Sequence, residues 1–142
     1  MMFAALHHRR RKGFIFLVSV LVIGSIAADI AISLVLLGVA ALQRGISVVQ
    51  SAQAYEYAQT CAERAIRRLQ TDLSYDGGEV ITFSSGTCSI AHTGGSGNTD
   101  RVLCVRGVSG QATRSVEISI AHVYPNVKVV SWGEVESFFR CP

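Results

Sequence analysis

Cysteine and histidine are among the side chains of this sequence that could ligate a metal ion or act in catalysis. The four cysteines among the 142 residues are Cys61, Cys88, Cys104 and Cys141. None of them forms a CxxC pair, so their spacing does not favour a structural zinc site. His92 and His122 each end a repeated Ser-Ile-Ala-His sequence, and neither is expected to have a carboxylate partner nearby, which is a poor set for metal binding or acid–base chemistry.

Familiar catalytic motifs are also missing from the sequence. It contains no GxSxG, HExxH or P-loop pattern. The glycine-rich run 94–98 has no lysine and precedes no helical pattern, so we interpret it as a turn and not as a phosphate-binding loop. We therefore predict that the chain is not an enzyme, with no catalytic residue, no metal site and no cofactor.

Asp29 is a single carboxylate inside a long apolar stretch. Ser25, Asp29 and Ser33 are spaced by four residues and share one face of a helix. An ionised carboxylate at the middle of a membrane costs about 2.5–3.5 kcal/mol. Two interpretations stay open. Asp29 is protonated and bonded to Ser25 or to a backbone carbonyl, or it contacts another subunit when the helix leaves the lipid.

Small residues recur in the same stretch. Gly24 and Ala28 are four residues apart, and Ala27 and Ala31 repeat the spacing. Such a pattern lets two helices approach closely. We predict that Gly24 and Ala28, together with Asp29, form contacts during assembly.

A basic cluster and an apolar run are the elements that position these residues. Arg9, Arg10, Arg11 and Lys12 supply four of the thirteen cations, and without them the formal charge of +3 disappears. The positive balance therefore gives no support for nucleic-acid binding. Residues 14–42 hold no Lys, Arg, Glu or Pro, and cations beside an apolar span keep that end in the cytoplasm. We expect the N-terminus inside and the C-terminus outside, where disulfides persist.

Gly13, the small residue between the basic cluster and the apolar run, lies before the run and not after it. A secretory signal is cut after its apolar core, whereas Gly13 comes before it. This order resembles the prepilin signal of type IV pilins and type II secretion pseudopilins. The matching residues are Arg10-Arg11-Lys12-Gly13 followed by Phe14-Ile15-Phe16-Leu17-Val18.

The resemblance implies a processing step and a class of subunit. A prepilin peptidase would cut between Gly13 and Phe14, and Phe14 would be N-methylated. The family usually carries Glu at the position of Val18, and some minor subunits at filament tips lack it. The departure at Val18 therefore favours a minor subunit over a major one.

Beyond the apolar run, the helical pattern continues with one apolar stripe. We predict one helix from about Phe14 to about Leu73, ended by the polar cluster 74–78. The sequence then divides into a basic leader (1–13), a transmembrane and assembly half of the helix (14–42), an amphipathic half (43–73) and a β-domain (74–142). The stripe, at spacings of three and four, is Ala54, Ala58, Cys61, Ala62, Ala65 and Leu69.

Residues 74–142 change to the period of strands. Strand patterns at 80–83, 87–92, 101–108, 114–124 and 128–132 are separated by turns. In 114–124, Val116, Ile118 and Ile120 fall on one face. A meander of about 70 residues has a thin core, which the helix stripe can complete. We predict an α+β fold with a long N-terminal helix packed on a small antiparallel sheet, which is also the layout of pilins.

The predicted faces of the helix and the strands favour one disulfide pairing but do not decide between the possible pairings. Cys61 lies on the stripe that should face the sheet, and Cys88 shares a strand face with Ile90, which favours Cys61–Cys88. Cys104 and Cys141 could then pair, or one could stay free. The rival is Cys88–Cys104, which would lie opposite each other across a symmetrical turn at 94–98.

Together these features predict a structural subunit, pilin or pseudopilin, of a type IV pilus or a type II secretion-like filament. It would assemble through its apolar helix after leader cleavage. Expected partners are other subunits, prepilin peptidase and, before assembly, membrane lipid. The chain would cross the cytoplasmic membrane once and then enter a filament at the cell surface or in the periplasm. The alternative is a permanently anchored single-pass membrane protein with an extracytoplasmic β-domain that binds a partner.

Overall fold

The computed structural model describes the backbone of residues 4–141 and the side chains of residues 13–141. One long helix precedes five strands, which confirms the predicted α+β class. The helix ends two residues before the predicted Leu73. The elements are α1 (Ala4–Thr71), β1 (Glu79–Phe83), β2 (Gly86–Ile90), β3 (Thr99–Ser109), β4 (Ala112–His122) and β5 (Lys128–Val135).

The chain divides into two units, Met1–Arg44 and Gly45–Pro142, and the division falls inside α1. In the first unit every residue from 13 to 44 is exposed. An 18-residue window of this helix reaches a mean hydropathy of 2.5, and none of that window is buried. By length and composition the helix could serve as a membrane span or as a signal.

In the second unit the amphipathic part of α1 packs on the sheet. All six residues of the predicted apolar stripe are fully buried, from Ala54 to Leu69. Because most of them are alanines, the helix backbone can approach the strands closely. The polar side chains on the other faces of this segment, such as Glu63 and Arg67, are exposed. The amphipathic pattern in the sequence therefore predicted the buried face correctly.

The sheet is an antiparallel meander with the strand order β1-β2-β3-β4-β5. In its centre Leu103 lies opposite Ile118, and Val105 lies opposite Val116. These four side chains are fully buried on the face that contacts α1. Glu117 alternates with them and is only partly buried on the opposite face, which we call the outer face. The core therefore lies between one helix face and one sheet face.

The strand β5 forms one edge of the sheet. All of its residues except Val135 are exposed, including Val130 and Trp132. Its register against β4 shifts near Ile120, so Val130 is an extra residue without a partner on β4. A bulge of this kind twists an edge strand and discourages pairing with another chain.

The segment after β5 crosses the outer face of the sheet. The Arg140 guanidinium lies 3.5 Å from the Glu117 carboxylate and donates to the Ser119 hydroxyl at 2.9 Å. The Arg106 guanidinium lies over the Phe138 ring, 5.1 Å from its centroid. Cys141 is bonded to Cys104 on β3. The tail therefore covers side chains that would otherwise face solvent.

The turn after α1 is held by polar contacts. The Asp72 carboxylate accepts hydrogen bonds from the Ser74 hydroxyl at 2.5 Å and from the Ser74 backbone N–H at 2.8 Å, and these bonds lower the pKa of Asp72. Burial raises the pKa of Tyr75, and the negative charge of the nearby Glu79 carboxylate raises it further. The Tyr75 hydroxyl itself has no hydrogen-bond partner among the described residues. The polar cluster 74–78 follows this turn, and the helix already ends at Thr71.

Candidate functional site

The predicted cleavage junction lies within helix α1. Phe14 is 71% exposed, and a Cβ built on Gly13 would meet no atom within 4 Å. Glycine costs about 1 kcal/mol relative to alanine inside a helix. The fold of this chain therefore gives no reason for a glycine at position 13. The side chains of the basic cluster Arg9 to Lys12 lie outside the described residues.

Val18, where the prepilin signals that the sequence resembles usually carry Glu, has an apolar side chain. Val18 is one helical turn after Phe14 and is 42% exposed. It offers no charge to the amine that cleavage would create at Phe14. The next carboxylate along the chain is Asp29, fifteen residues after Phe14, or about 22 Å at the helical rise.

Asp29 is exposed and makes no side-chain hydrogen bond or ion pair with the residues described. The Ser33 hydroxyl donates to the Asp29 backbone carbonyl at 2.8 Å, and the Ser25 hydroxyl donates to the Val22 carbonyl at 2.9 Å. Both serines thus bond their own helix backbone. The bond between Asp29 and Ser25, which is one form of the first interpretation above, is not formed. A carboxylate without such a partner remains costly in lipid.

The predicted small-residue contacts also lack a reason within this chain. Gly24 and Ala28 are both exposed, and a Cβ on Gly24 would meet nothing within 4 Å. The same holds for Gly38 and Gly45 in the same helix. Three helix-destabilising residues in open space are not explained by packing of this chain on itself. Close approach of another helix would explain them.

The four cysteines form two disulfides. Cys61 on α1 is bonded to Cys88 on β2, and Cys104 on β3 is bonded to Cys141, with 6.2 Å between the Cα atoms in each pair. Of the pairings left open, the structure has the helix-to-sheet bond and not the rival Cys88–Cys104. Each disulfide joins two parts of the second unit that are distant in sequence.

The two histidines have different surroundings. His92 Nδ1 lies 3.0 Å from the Asp76 carboxylate, and both side chains are largely exposed. The expectation that neither histidine has a carboxylate partner is therefore wrong for His92, because the turn after α1 brings Asp76 beside it. The Nδ1 atom of His122 is buried without a hydrogen-bond partner in the described part of the chain. The described residues contain no group of three metal-ligating side chains.

Arg101 is a buried cation that lies outside the motifs recognised in the sequence. It is 3% exposed and lines a cavity of about 460 Å³ beside the glycine-rich turn. Its guanidinium donates to the Leu73 carbonyl at 3.1 Å, the Tyr75 carbonyl at 2.5 Å and the Thr93 hydroxyl at 2.7 Å. Arg101 thus fixes the turn after α1 to β3. The sequence did contain an indication of this burial, because Arg101 is spaced by two residues from Leu103 and by four from Val105 and so shares their buried strand face.

A second cavity, of about 530 Å³, lies at β4 and β5 and is lined by Arg106, Arg114, Glu134 and Glu136, among others. The Arg114 guanidinium donates to the Glu134 carboxylate at 2.6 Å and to the Ser51 hydroxyl on α1. This chain of contacts connects β5 to the helix. It accounts for the position of Arg114 without a ligand.

Comparison of the chain with protein-family models, with curated proteins and with solved structures gave no match.

Proposed function

We propose that the chain is a structural subunit, pilin-like or pseudopilin-like and of the minor class, of a type IV pilus or type II secretion-like filament. One observation carries the proposal. A basic cluster, Gly13 and Phe14 come in that order directly before a long apolar stretch of α1, and residues 13–44 of that helix are all exposed. A cut after Gly13 would remove the cations of residues 9–12 and leave the apolar helix on the mature chain.

The exposed apolar helix requires an environment that this chain does not supply. Side chains such as Phe16, Leu21 and Leu36 are each more than 60% exposed. Lipid can cover them in the precursor, and the helices of neighbouring subunits can cover them in a filament. Assembly then exchanges lipid contacts for protein contacts, and Gly24, Ala28 and Asp29 are the proposed contact residues. The role is mechanical and not catalytic.

The second unit is the part that the filament would display. Two disulfides suit an oxidising compartment outside the cytoplasm. The cationic leader, by contrast, favours a cytoplasmic N-terminus. The proposed path is therefore single-pass insertion in the cytoplasmic membrane, removal of residues 1–13 by a prepilin peptidase, and entry into a filament at the surface or in the periplasm.

Cleavage separates this proposal from the permanently anchored alternative, which has the same topology. Mass analysis of the protein isolated from its own host should find Phe14 at the N-terminus, carrying one added methyl group. Gly13→Val should leave the uncut precursor in the membrane, because the peptidase needs a small residue there. Gly38→Val is the matched control, since it adds the same side chain in open space within the same helix. It should be cut normally.

Protein that retains residues 1–13 in its own host would overturn the filament proposal. The chain would then be a permanently anchored single-pass membrane protein with a displayed sheet.

A further inference from the structure

The cavity beside the glycine-rich turn, of about 460 Å³, contains a buried cation without a counter-charge. Arg101 lines this cavity, is 3% exposed and forms no ion pair with the described residues. Its guanidinium bonds two backbone carbonyls and the Thr93 hydroxyl, and all three acceptors are uncharged. A charged side chain is rarely this buried without an opposite charge beside it. A ligand in the cavity could supply the missing negative charge.

The hydrogen-bonding capacity of this guanidinium is also incomplete within the chain. A guanidinium carries five N–H donors, and the three hydrogen bonds of Arg101 use three of them. The Nε atom of Arg101 is buried and has no partner among the described residues. Buried donors without a partner are rare in folded proteins, and each one needs a physical explanation. Arginine most often pairs with a carboxylate or a phosphate, whose oxygens accept its N–H groups.

A carboxylate lines the same cavity without neutralising the guanidinium. Asp76 is the other charged side chain in the lining, and it forms no ion pair with Arg101. The Arg101 guanidinium donates to the carbonyl of Tyr75, the residue before Asp76, so one short turn positions both charges. The Oδ2 atom of Asp76 lies 3.0 Å from His92 Nδ1, and this contact leaves the Oδ1 atom available. The cavity therefore offers one positive and one negative group.

These two charges favour a ligand that carries both signs. Arg101 would attract a simple anion, but Asp76 would repel it, and a simple cation would meet the reverse arrangement. A zwitterion satisfies both groups. Sites for small ligands usually have volumes of about 300–1,000 Å³, so this cavity has room for more than two charged groups. Leu73 and Tyr75 supply apolar surface in the same lining, which suits an apolar third group.

We propose that this cavity binds a free α-amino acid with an apolar side chain. The ligand carboxylate accepts hydrogen bonds from Arg101, and the ligand ammonium lies beside Asp76. The ligand side chain contacts Leu73 and Tyr75. A longer peptide fits less well, because its charged ends are far apart. The inference goes beyond the proposed filament role, and it holds for the permanently anchored alternative too, because the cavity lies in the second unit and does not depend on leader cleavage.

Titration calorimetry of the whole detergent-solubilised chain tests the site, with protein-free detergent as the blank. L-leucine carries both charges, 4-methylpentanoate lacks the ammonium and 3-methylbutylamine lacks the carboxylate. L-leucine should bind. The amine should bind at least about tenfold more weakly, because it loses the hydrogen bonds to a charged group. The carboxylate should bind about two- to fivefold more weakly, because Asp76 is largely exposed. Arg101 also holds the turn after α1, so its role is tested by changing the ligand and not the protein.

Asp76→Asn tests the negative group without disturbing the fold. The side chain is largely exposed, and the Asp76 backbone carbonyl keeps its bond from the Thr93 N–H group. This variant should bind L-leucine about two- to fivefold more weakly and should not lose affinity for 4-methylpentanoate. Asp100→Asn is the matched control, because it makes the same change at an exposed carboxylate beside Arg101 in sequence that does not line the cavity. Its affinity for L-leucine should equal that of the wild type.

Several results would overturn the amino-acid site. Failure of L-leucine to bind the folded chain would do so, and so would equal affinities for L-leucine and 3-methylbutylamine. Unchanged L-leucine affinity in Asp76→Asn, or an equal loss in Asp100→Asn, would show that Asp76 does not receive the ammonium. None of these results bears on cleavage after Gly13, so the site and the filament proposal stand or fall separately.

Discussion

Gly107 on β3 lies directly against the backbone of Ala54 on α1. A Cβ built on Gly107 would overlap the Ala54 carbonyl oxygen and would come within 2.6 Å of the Ala58 amide nitrogen. These are backbone atoms of a packed helix, so they cannot move aside as a flexible side chain can. Glycine at position 107 therefore sets how closely the helix and the sheet approach each other in the second unit.

Gly107→Ala should accordingly destabilise the second unit by about 1–3 kcal/mol, the usual cost of overpacking a core. Gly133→Ala on β5 is the matched control, because a Cβ there would meet no atom within 4 Å. It should be close to neutral. Denaturant unfolding of the detergent-solubilised chain measures both. Equal stability of the two variants would contradict the close approach of β3 to α1.

Loss of the helix-to-sheet disulfide should also weaken the second unit. Cys61→Ala with Cys88→Ala should lower the free energy of unfolding by about 2–4 kcal/mol, because the unfolded chain regains the freedom of a long loop. Peptide mapping without reductant should recover Cys61 linked to Cys88 and Cys104 linked to Cys141. A free thiol at Cys61 in oxidised, folded protein would contradict this pairing.

Asp29→Ala should separate insertion from assembly. The precursor should insert as well as wild type or better, because a costly polar group is removed from lipid. Its share in sheared filaments relative to the membrane fraction should fall, because a contact between subunits is lost. Ser25→Ala is the control, since that hydroxyl bonds only its own helix backbone. An unchanged filament-to-membrane ratio for Asp29→Ala would rule out an assembly role.

Arg101→Met should destabilise the turn after α1. The carbonyls of Leu73 and Tyr75 would lose a charged donor, and a hydrogen bond to a charged group contributes about 1.5–3 kcal/mol. Hydrogen exchange should rise first in residues 72–76. Arg106→Met, at an exposed position on the same strand, should cause a smaller change. Equal protection of the turn in both variants would show that Arg101 does not hold it.

The sequence predicted the elements whose signals are local. The alanine stripe from Ala54 to Leu69 and the alternation around Ile118 each depend on spacing within one element, and both faces are buried as expected. The contacts of Arg101 could not be predicted, because its acceptors at Leu73 and Tyr75 come from a turn 26 or more residues earlier. The path of the tail over the outer face is likewise decided by Cys104, Glu117 and Ser119, which only the folded sheet brings together.

For the candidate site the sequence supplied most of the observations. Asp29 stands out by its place in the apolar run, and Gly13 and Phe14 stand out because their order resembles a prepilin signal. The structure added that Gly13 and Gly24 have no packing role within the chain and that the neighbouring serines do not bond the Asp29 carboxylate. Both findings depend on which atoms lie near a residue in space, and the sequence alone does not give those neighbours.

The two disulfides also determine how the second unit would carry tension. A force that enters at Cys61 passes through its disulfide to Cys88, so residues 62–87 bear none of it. It then passes from Cys104 to Cys141, which likewise relieves residues 105–140. Only residues 89–103 remain as extensible backbone between Cys61 and Cys141, and they can lengthen to at most about 55 Å. Under load, the part of the unit from Cys61 to Cys141 would therefore stretch by a short, fixed length even after its hydrogen bonds had broken.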